Sequence, residues 1–352
     1  MLNTQNKPSA ATVALIIIAT IMVGYILMIG KDLLLPLVIA LLMFYILQSM
    51  TKKLGKLQIK GCALPSPIRA GLSIAIVLGI VIYLFSLAAT SVYGIVQQAP
   101  QYQQQINEWI REANMLLANY DIDASMLFSS INITNLIRGT ANTITGIAQY
   151  SALVVIYTLF LALEYRSFQL KVKEMYPQNS SYKKAMTTLQ RLSDDVGSYL
   201  KVKALMSFLT GLISYAILTT GGMPYAEFWG LVIFALNFIP TVGSILAVLM
   251  VVPAIAINLG VTISGGLIAL GLIATQVIIG NILDPRAMGK SLNLSPLVIL
   301  LSLAFWGTIW GPIGALLCVP LMVVLNIILA QFPQTRPLSI ILSQDGKIRS
   351  PS

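Results

Sequence analysis

The polar chemistry of this chain gathers where two long apolar runs are interrupted. The first interruption reads Asn237-Phe-Ile-Pro240-Thr241-Val-Gly243-Ser244, and the second reads Trp306-Gly307-Thr308-Ile-Trp310-Gly311-Pro312-Ile-Gly314. Proline removes a backbone donor and glycine favours turns, so each sequence ends a helix inside a run otherwise suited to lipid. The freed backbone groups must then be satisfied by protein or by a water-lined cavity. Asn237, Thr241, Ser244, Gln276, Asn281 and Thr308 cluster around the breaks. Their amides and hydroxyls offer donors and acceptors without the solvation cost of a charge. Such a set suits a small, neutral, oxygen-rich solute. Trp306 and Trp310 can stack on that solute or, equally, anchor the chain at a membrane interface. Kinks and close helix contact through Gly307 and Gly311 are the plain alternative. One break is readily dismissed that way; two at corresponding positions point to function.

Charged chemistry is scarcer. No charge falls in the middle of a clear apolar run, where it would mark an ion or proton path. The candidate acids stand at run ends: Glu164, Glu227 and Asp284. Glu164 reads as a solvated carboxylate beside Arg166. Glu227 directly precedes the first broken segment. Asp284 opens the connector Asp284-Pro285-Arg286-Ala-Met288-Gly289-Lys290, where it can accept from Arg286 or cap the backbone as part of a gate. Glu227 and Asp284 are therefore the candidates for proton coupling. The chain has no histidine, which excludes HExxH zinc sites and Ser-His or Cys-His pairs. No GxxxxGK[ST] phosphate loop is present, and the two cysteines, Cys62 and Cys318, make no disulfide framework. No metal, no cofactor and no enzymatic activity are expected.

The elements that position these residues follow from composition. Of 352 residues, 57% are hydrophobic and 10% charged, against about 25% charged in an average soluble domain. A membrane span takes about 20 mostly apolar residues. Candidates are Ala10–Ile29, Leu33–Met50, Ala70–Val92, Ile147–Leu163, Ala204–Leu218 and Val261–Leu283. The first is too long for a signal peptide's apolar core and reads as a retained span. The runs 228–257 and 295–330 are each too long for one ordinary span and carry the breaks. The net charge of +10 comes from loops rather than from a nucleic-acid-binding face. Lys52, Lys53, Lys56, Lys60 and Arg69 lie between the second and third spans. Arg166, Lys171, Lys173, Lys183, Lys184, Arg191, Lys201 and Lys203 fill 164–203, and the tail carries Arg336, Lys347 and Arg349. By the positive-inside rule these segments and both termini are cytoplasmic. Segment 97–146, with Glu108, Glu112, Asp121 and Asp123 against Arg111 and Arg138, belongs outside.

Two amphipathic segments are expected beside the spans. One is external, with Ile106, Trp109, Ile110, Ala113, Leu117 and Tyr120 at helical spacing; the other is cytoplasmic, with Tyr182, Met186, Leu189, Val196 and Tyr199 after N-caps at Ser180 or Ser181. The fold class is all-α: a polytopic helical membrane protein of about eight membrane segments. Two of these are broken spans or re-entrant hairpins. As hairpins, 204–257 and 261–330 each become a span plus a hairpin entering from opposite faces, an inverted repeat of the kind transporters use. Residues 1–203 then form a scaffold, 204–335 the transport part, and 336–352 a tail.

These blocks carry a family resemblance. Phe228-Trp-Gly-Leu, Ala-Leu-Asn237-Phe-Ile-Pro240-Thr-Val-Gly243-Ser244, Gly280-Asn281-Ile-Leu-Asp284-Pro285-Arg286-Ala-Met288-Gly289, Leu294-Ser295, Phe305-Trp306-Gly307, Gly311-Pro312 and Pro320-Leu321 follow one another in order. The chain resembles the autoinducer-2 exporter family of permease-like bacterial membrane proteins. The resemblance implies export of the quorum-sensing signal autoinducer-2 across the bacterial inner membrane. It also implies a homo-oligomer, of which a pentamer is one arrangement, with the C-terminal half as the moving part. Other members are linked to cation/proton antiport. The expectation is a secondary transporter of a small polar solute working by alternating access. Its rivals are a monovalent cation/proton antiporter, which needs a titratable carboxylate, and a passive channel.

Overall fold

The computed structural model describes residues 10–55, 58–59, 62–63, 65–117, 133–176, 179–240, 242–288 and 293–346. Thr241, Gly289, Lys290, Tyr120, Asp121 and Asp123 lie outside these. The elements are α1 (Ala10–Ile29), α2 (Lys31–Leu54), α3 (Ser66–Leu117), α4 (Ile133–Met175), α5 (Asn179–Thr220), α6 (Ala226–Leu236) and α7 (Val242–Leu259). There follow α8 (Ile263–Gln276), a π-helical segment (Val277–Leu283), α9 (Asp284–Met288), α10 (Pro296–Gln331) and α11 (Arg336–Leu342). A two-residue antiparallel strand pair, Gln58–Ile59 with Cys62–Ala63, is the exception to the helical class among the described residues. Among the described residues, six helices are long and apolar enough to cross a membrane: Lys31–Leu54, Pro67–Glu112, Ala185–Thr220, Val242–Leu259, Ile263–Ala287 and Pro296–Gln331. Shorter apolar helices lie at Ile17–Ile29, Tyr150–Tyr165 and Ala226–Leu236. Apolar side chains face outward along them: Leu15, Ile21, Tyr25, Ile82 and Leu163 are each at least 65% exposed. A water-soluble monomer does not carry so much contiguous apolar surface.

The amphipathic segments are not separate elements. The run 97–117 is the far end of α3, a helix of 52 residues, about 78 Å long at 1.5 Å per residue. Segment 164–203 is divided between the end of α4 and the first part of α5. Ser180 and Ser181 lie in the first turn of α5 rather than before it. The reason is physical. Extending an established helix adds one hydrogen bond per residue, whereas ending it and starting another requires a new nucleus.

The broken runs both turn back on themselves. In the first, α6 ends at Leu236 and α7 begins at Val242. A Cβ placed on Gly243 would come within 1.8 Å of the Leu236 carbonyl oxygen. Ala226 and Ile233 of α6 share a buried cluster with Ala247, Val251 and Ile255 of α7 and with Leu218 of α5. The base of this hairpin rests on α3: Gln98 donates to the Tyr225 hydroxyl at 3.3 Å, and the Tyr102 hydroxyl donates to Asn258 at 3.2 Å.

In the second, Gly311 takes a non-helical conformation (φ 65°, ψ −151°) inside α10, a backbone region open to glycine and strained for other residues. Ser302 Oγ donates to the Cys318 carbonyl at 3.2 Å, although residues sixteen apart in a straight helix are separated by about 24 Å. Gly314 is equally close to Trp306, whose carbonyl oxygen a Cβ would meet at 2.0 Å. The limbs 296–310 and 312–331 are thus antiparallel.

Candidate functional site

Helix α5 carries a polar stripe through its apolar half. Lys203, Ser207, Thr210 and Ser214 recur at i, i+4, i+7 and i+11, which places them on one face. Their exposures are 3%, 0%, 0% and 0%. Helix α8 and the segment after it run antiparallel to this face. Ile217 lies against Gly271, Ile268 against Gly221, and Lys203 pairs with Asp284. The first hairpin is antiparallel to it as well, with Gly230 against Tyr215 and Phe234 against Gly211.

That geometry brings the tip of the first hairpin to the middle of the stripe. Asn237, 2% exposed, donates from Nδ2 to Ser207 Oγ at 3.2 Å. Ser244, just past the turn, holds its Oγ 3.1 Å from where a Cβ on Gly280 would stand. One turn toward the α8 side, Gln276 is 5% exposed and its Oε1 has no hydrogen-bond partner. Lys203 Nζ donates to Asp284 Oδ2 at 2.5 Å, while Asp284 Oδ1 and Ser214 Oγ are buried without partners. The π-helical register ends directly before Asp284-Pro285. Pro285 has no N–H to return to the carbonyl four residues earlier, and π turns of this kind recur at functional sites.

The second hairpin packs on an earlier part of α5, where Val196 and Tyr199 share a cluster with Cys318, Val319 and Val323 of its second limb and with Leu294 just before its first. Its tip packs on Leu35 and Leu34 of α2, and the Trp310 indole donates to the Leu27 carbonyl of α1 at 3.0 Å. Tyr45 of α2 sits against Gly197 of α5, and Leu42 packs against the cluster that holds Tyr199. Trp306 and Trp310 meet in a tilted ring contact with centroids 4.8 Å apart, and the Trp306 indole nitrogen is buried without a partner.

Of the residues read from the sequence, the structure gathers Asn237, Ser244, Gln276 and Asp284 around α5. Pro240 and Gly243 form the first turn; Trp306, Gly307, Trp310, Gly311 and Pro312 form the second. Asn281, Arg286, Thr308 and Glu227 are exposed. Thr308 bonds to its own helix at Ala304. Two expectations are corrected. Asp284 pairs with Lys203 rather than with Arg286, and Lys203 is a buried residue of an apolar helix rather than one of the basic-loop cations. The pair stands at the ends of the apolar runs, Lys203 directly before Ala204 and Asp284 directly after Leu283. Close contact at the second turn is made by Gly314; Gly307 faces Ala315 at an ordinary 3.8 Å. Lys203, Ser207, Thr210 and Ser214 escape a reading centred on the breaks. Their four-, three- and four-residue spacing is the signal that finds them.

Known proteins bear on this arrangement. A model of the AI-2E family transporter matches residues 15–334. The chain is 29% identical over 327 residues to the AI-2 transport protein TqsA of Escherichia coli (strain K12), covering 90% of this chain and 91% of TqsA. It is 32% identical to a putative transport protein of Borreliella burgdorferi over 72% of this chain and 70% of the relative. A putative transport protein of Haemophilus influenzae is 29% identical over 74% and 77% of the two chains. With its paired helix breaks, its apolar helices and a family match along nearly its whole length, the chain belongs to the AI-2E transporter family.

Proposed function

We propose that this transporter is a secondary exporter of a small polar solute, autoinducer-2, working by alternating access across the bacterial inner membrane. The observation that carries the reading is the tip of the first hairpin, seated by Asn237 on a buried polar stripe of α5 beside which polar atoms lie without partners: Gln276 Oε1, Ser214 Oγ and Asp284 Oδ1. A buried polar group left unpaired is destabilising by about 1–3 kcal/mol. A solute rich in hydroxyls and carbonyls would satisfy them in turn as it moves along the roughly 16 Å between Lys203 and Ser214. In this reading the hairpins are re-entrant, the termini are cytoplasmic, residues 1–203 are the scaffold of a homo-oligomer, and 204–335 move. The name of TqsA, an AI-2 transport protein, supports the substrate.

The second reading is monovalent cation/proton antiport. The buried carboxylate of Asp284 favours it, because such exchange needs a titratable group out of water. A passive channel has no comparable support, since Asn237 and Trp310 tie both tips to neighbouring helices.

The test is autoinducer-2 flux into proteoliposomes, with and without a pH gradient. Saturable, gradient-stimulated flux is expected, falling at least about tenfold in Asn237→Ala, the loss of roughly 1.4 kcal/mol of binding. Flux no greater than in empty liposomes, from folded protein, would remove autoinducer-2 and leave antiport as the better reading.

A further inference from the structure

Three ion pairs occur among the described residues, and one of them is buried. Arg111–Glu108 and Lys171–Glu164 have side chains more than half exposed, whereas those of Lys203 and Asp284 are 3% and 11% exposed. The pair joins the middle of α5 to the point where the π-helical segment becomes α9. Two further features surround it. The second carboxylate oxygen, Oδ1, has no partner, and one turn away on α5 the buried Tyr199 hydroxyl also has none. Tyr199 lies within electrostatic range of Asp284 and of Cys318 on the second hairpin. Lys203 and Tyr199 are the titratable groups found beside Asp284; Arg286, two residues on, is exposed.

A buried pair of this kind is neutral overall while both partners are charged. With one partner neutralised, the other becomes an unpaired buried charge, which the interior does not hold. A structural tie would be expected to use both carboxylate oxygens; here one is left free at a site lined by hydroxyls.

We infer that Lys203 is a tethered competitor for the transported proton. A proton entering the layer bonds to Asp284 Oδ1, the carboxylate becomes a neutral carboxyl, and the Lys203 ammonium loses its counter-charge. The site changes from net zero to +1, and the ammonium must leave for water or for solute oxygens. The bond between α5 and α9 then opens beside the Asn237–Ser207 contact. Loss of the proton to the other side restores the pair, so one proton crosses per cycle. This deepens the reading of the chain as a secondary transporter and rests on it.

The test uses no solute, so its failure is separate from failure of the autoinducer-2 assay. In full-length protein with Cys62 and Cys318 replaced by alanine, Ser207→Cys reports opening beside the pair. An exposed Ile328→Cys corrects for the reactivity of the thiol itself. Normalised labelling by a small maleimide is expected to rise at least about tenfold on acidification, with a single midpoint. Lys203→Gln removes the ammonium whose expulsion opens the layer, so its labelling no longer rises on acidification. Because Asp284→Asn alone strands the ammonium, the neutral double variant Lys203→Gln with Asp284→Asn is the control, and its labelling is flat with pH. Flat labelling without these two substitutions, or an acid-induced rise that persists in Lys203→Gln, would overturn the proposal and make the pair a structural tie.

Discussion

The indoles of Trp306 and Trp310 meet in a tilted contact but differ in what their N–H groups find. That of Trp310 reaches the Leu27 carbonyl, and that of Trp306 is buried without an acceptor. Replacing Trp310 with Phe removes a hydrogen bond and strands a carbonyl, at about 1 kcal/mol or somewhat more. Replacing Trp306 with Phe removes an unsatisfied donor and is expected to have a smaller effect of either sign. The thermal-unfolding midpoint should therefore fall in Trp310→Phe and stay near that of the parent in Trp306→Phe; equal losses would dissolve the distinction. At this scale the sequence was informative where helix breakers drew attention, as at Asn237 and Ser244. It misled at Lys203, which stands two residues from Lys201 and reads as loop charge. The two residues are about 200° apart around the helix. Lys201 lies over the Tyr45 ring at 5.9 Å, while Lys203 turns into the layer.

Each hairpin depends on one glycine just past its turn. Gly243 and Gly314 stand so close to the carbonyls of Leu236 and Trp306 that any side chain would collide with backbone. In lipid the tails are as apolar as leucine, so close packing and interhelical hydrogen bonds, rather than the hydrophobic effect, hold helices together. Alanine at either position forces the limbs apart. Gly243→Ala and Gly314→Ala are expected to reduce folded yield sharply in detergent size-exclusion profiles. Gly307→Ala, with 3.8 Å of room and about 1 kcal/mol of helix propensity in its favour, should be tolerated or stabilising. Tolerance of alanine at all three would mean that the limbs are not pressed together. The apolar runs and the positions of both breaks were legible in the sequence. The continuity of α3 and α5 was not, because polar side chains mark where a helix leaves lipid and say nothing about where its backbone ends.

Across the molecule, each broken run turns back on itself, and this makes the number of crossings testable. If both turn back within the membrane, the chain between α7 and α8 lies outside and the chain after the π-helical segment lies in the cytoplasm. If each broken run crosses completely, both positions switch sides. Val261 is 86% exposed and Ala287 is exposed as well, so cysteine at either reports its side without disturbing a contact. In a background lacking Cys62 and Cys318, a membrane-impermeant maleimide added to intact cells should label Val261→Cys and spare Ala287→Cys until the membrane is opened. The reverse pattern would replace two re-entrant hairpins with two complete crossings. Asn237 and Trp310 would then lie on through-going helices, and the paired turns could no longer act as gates.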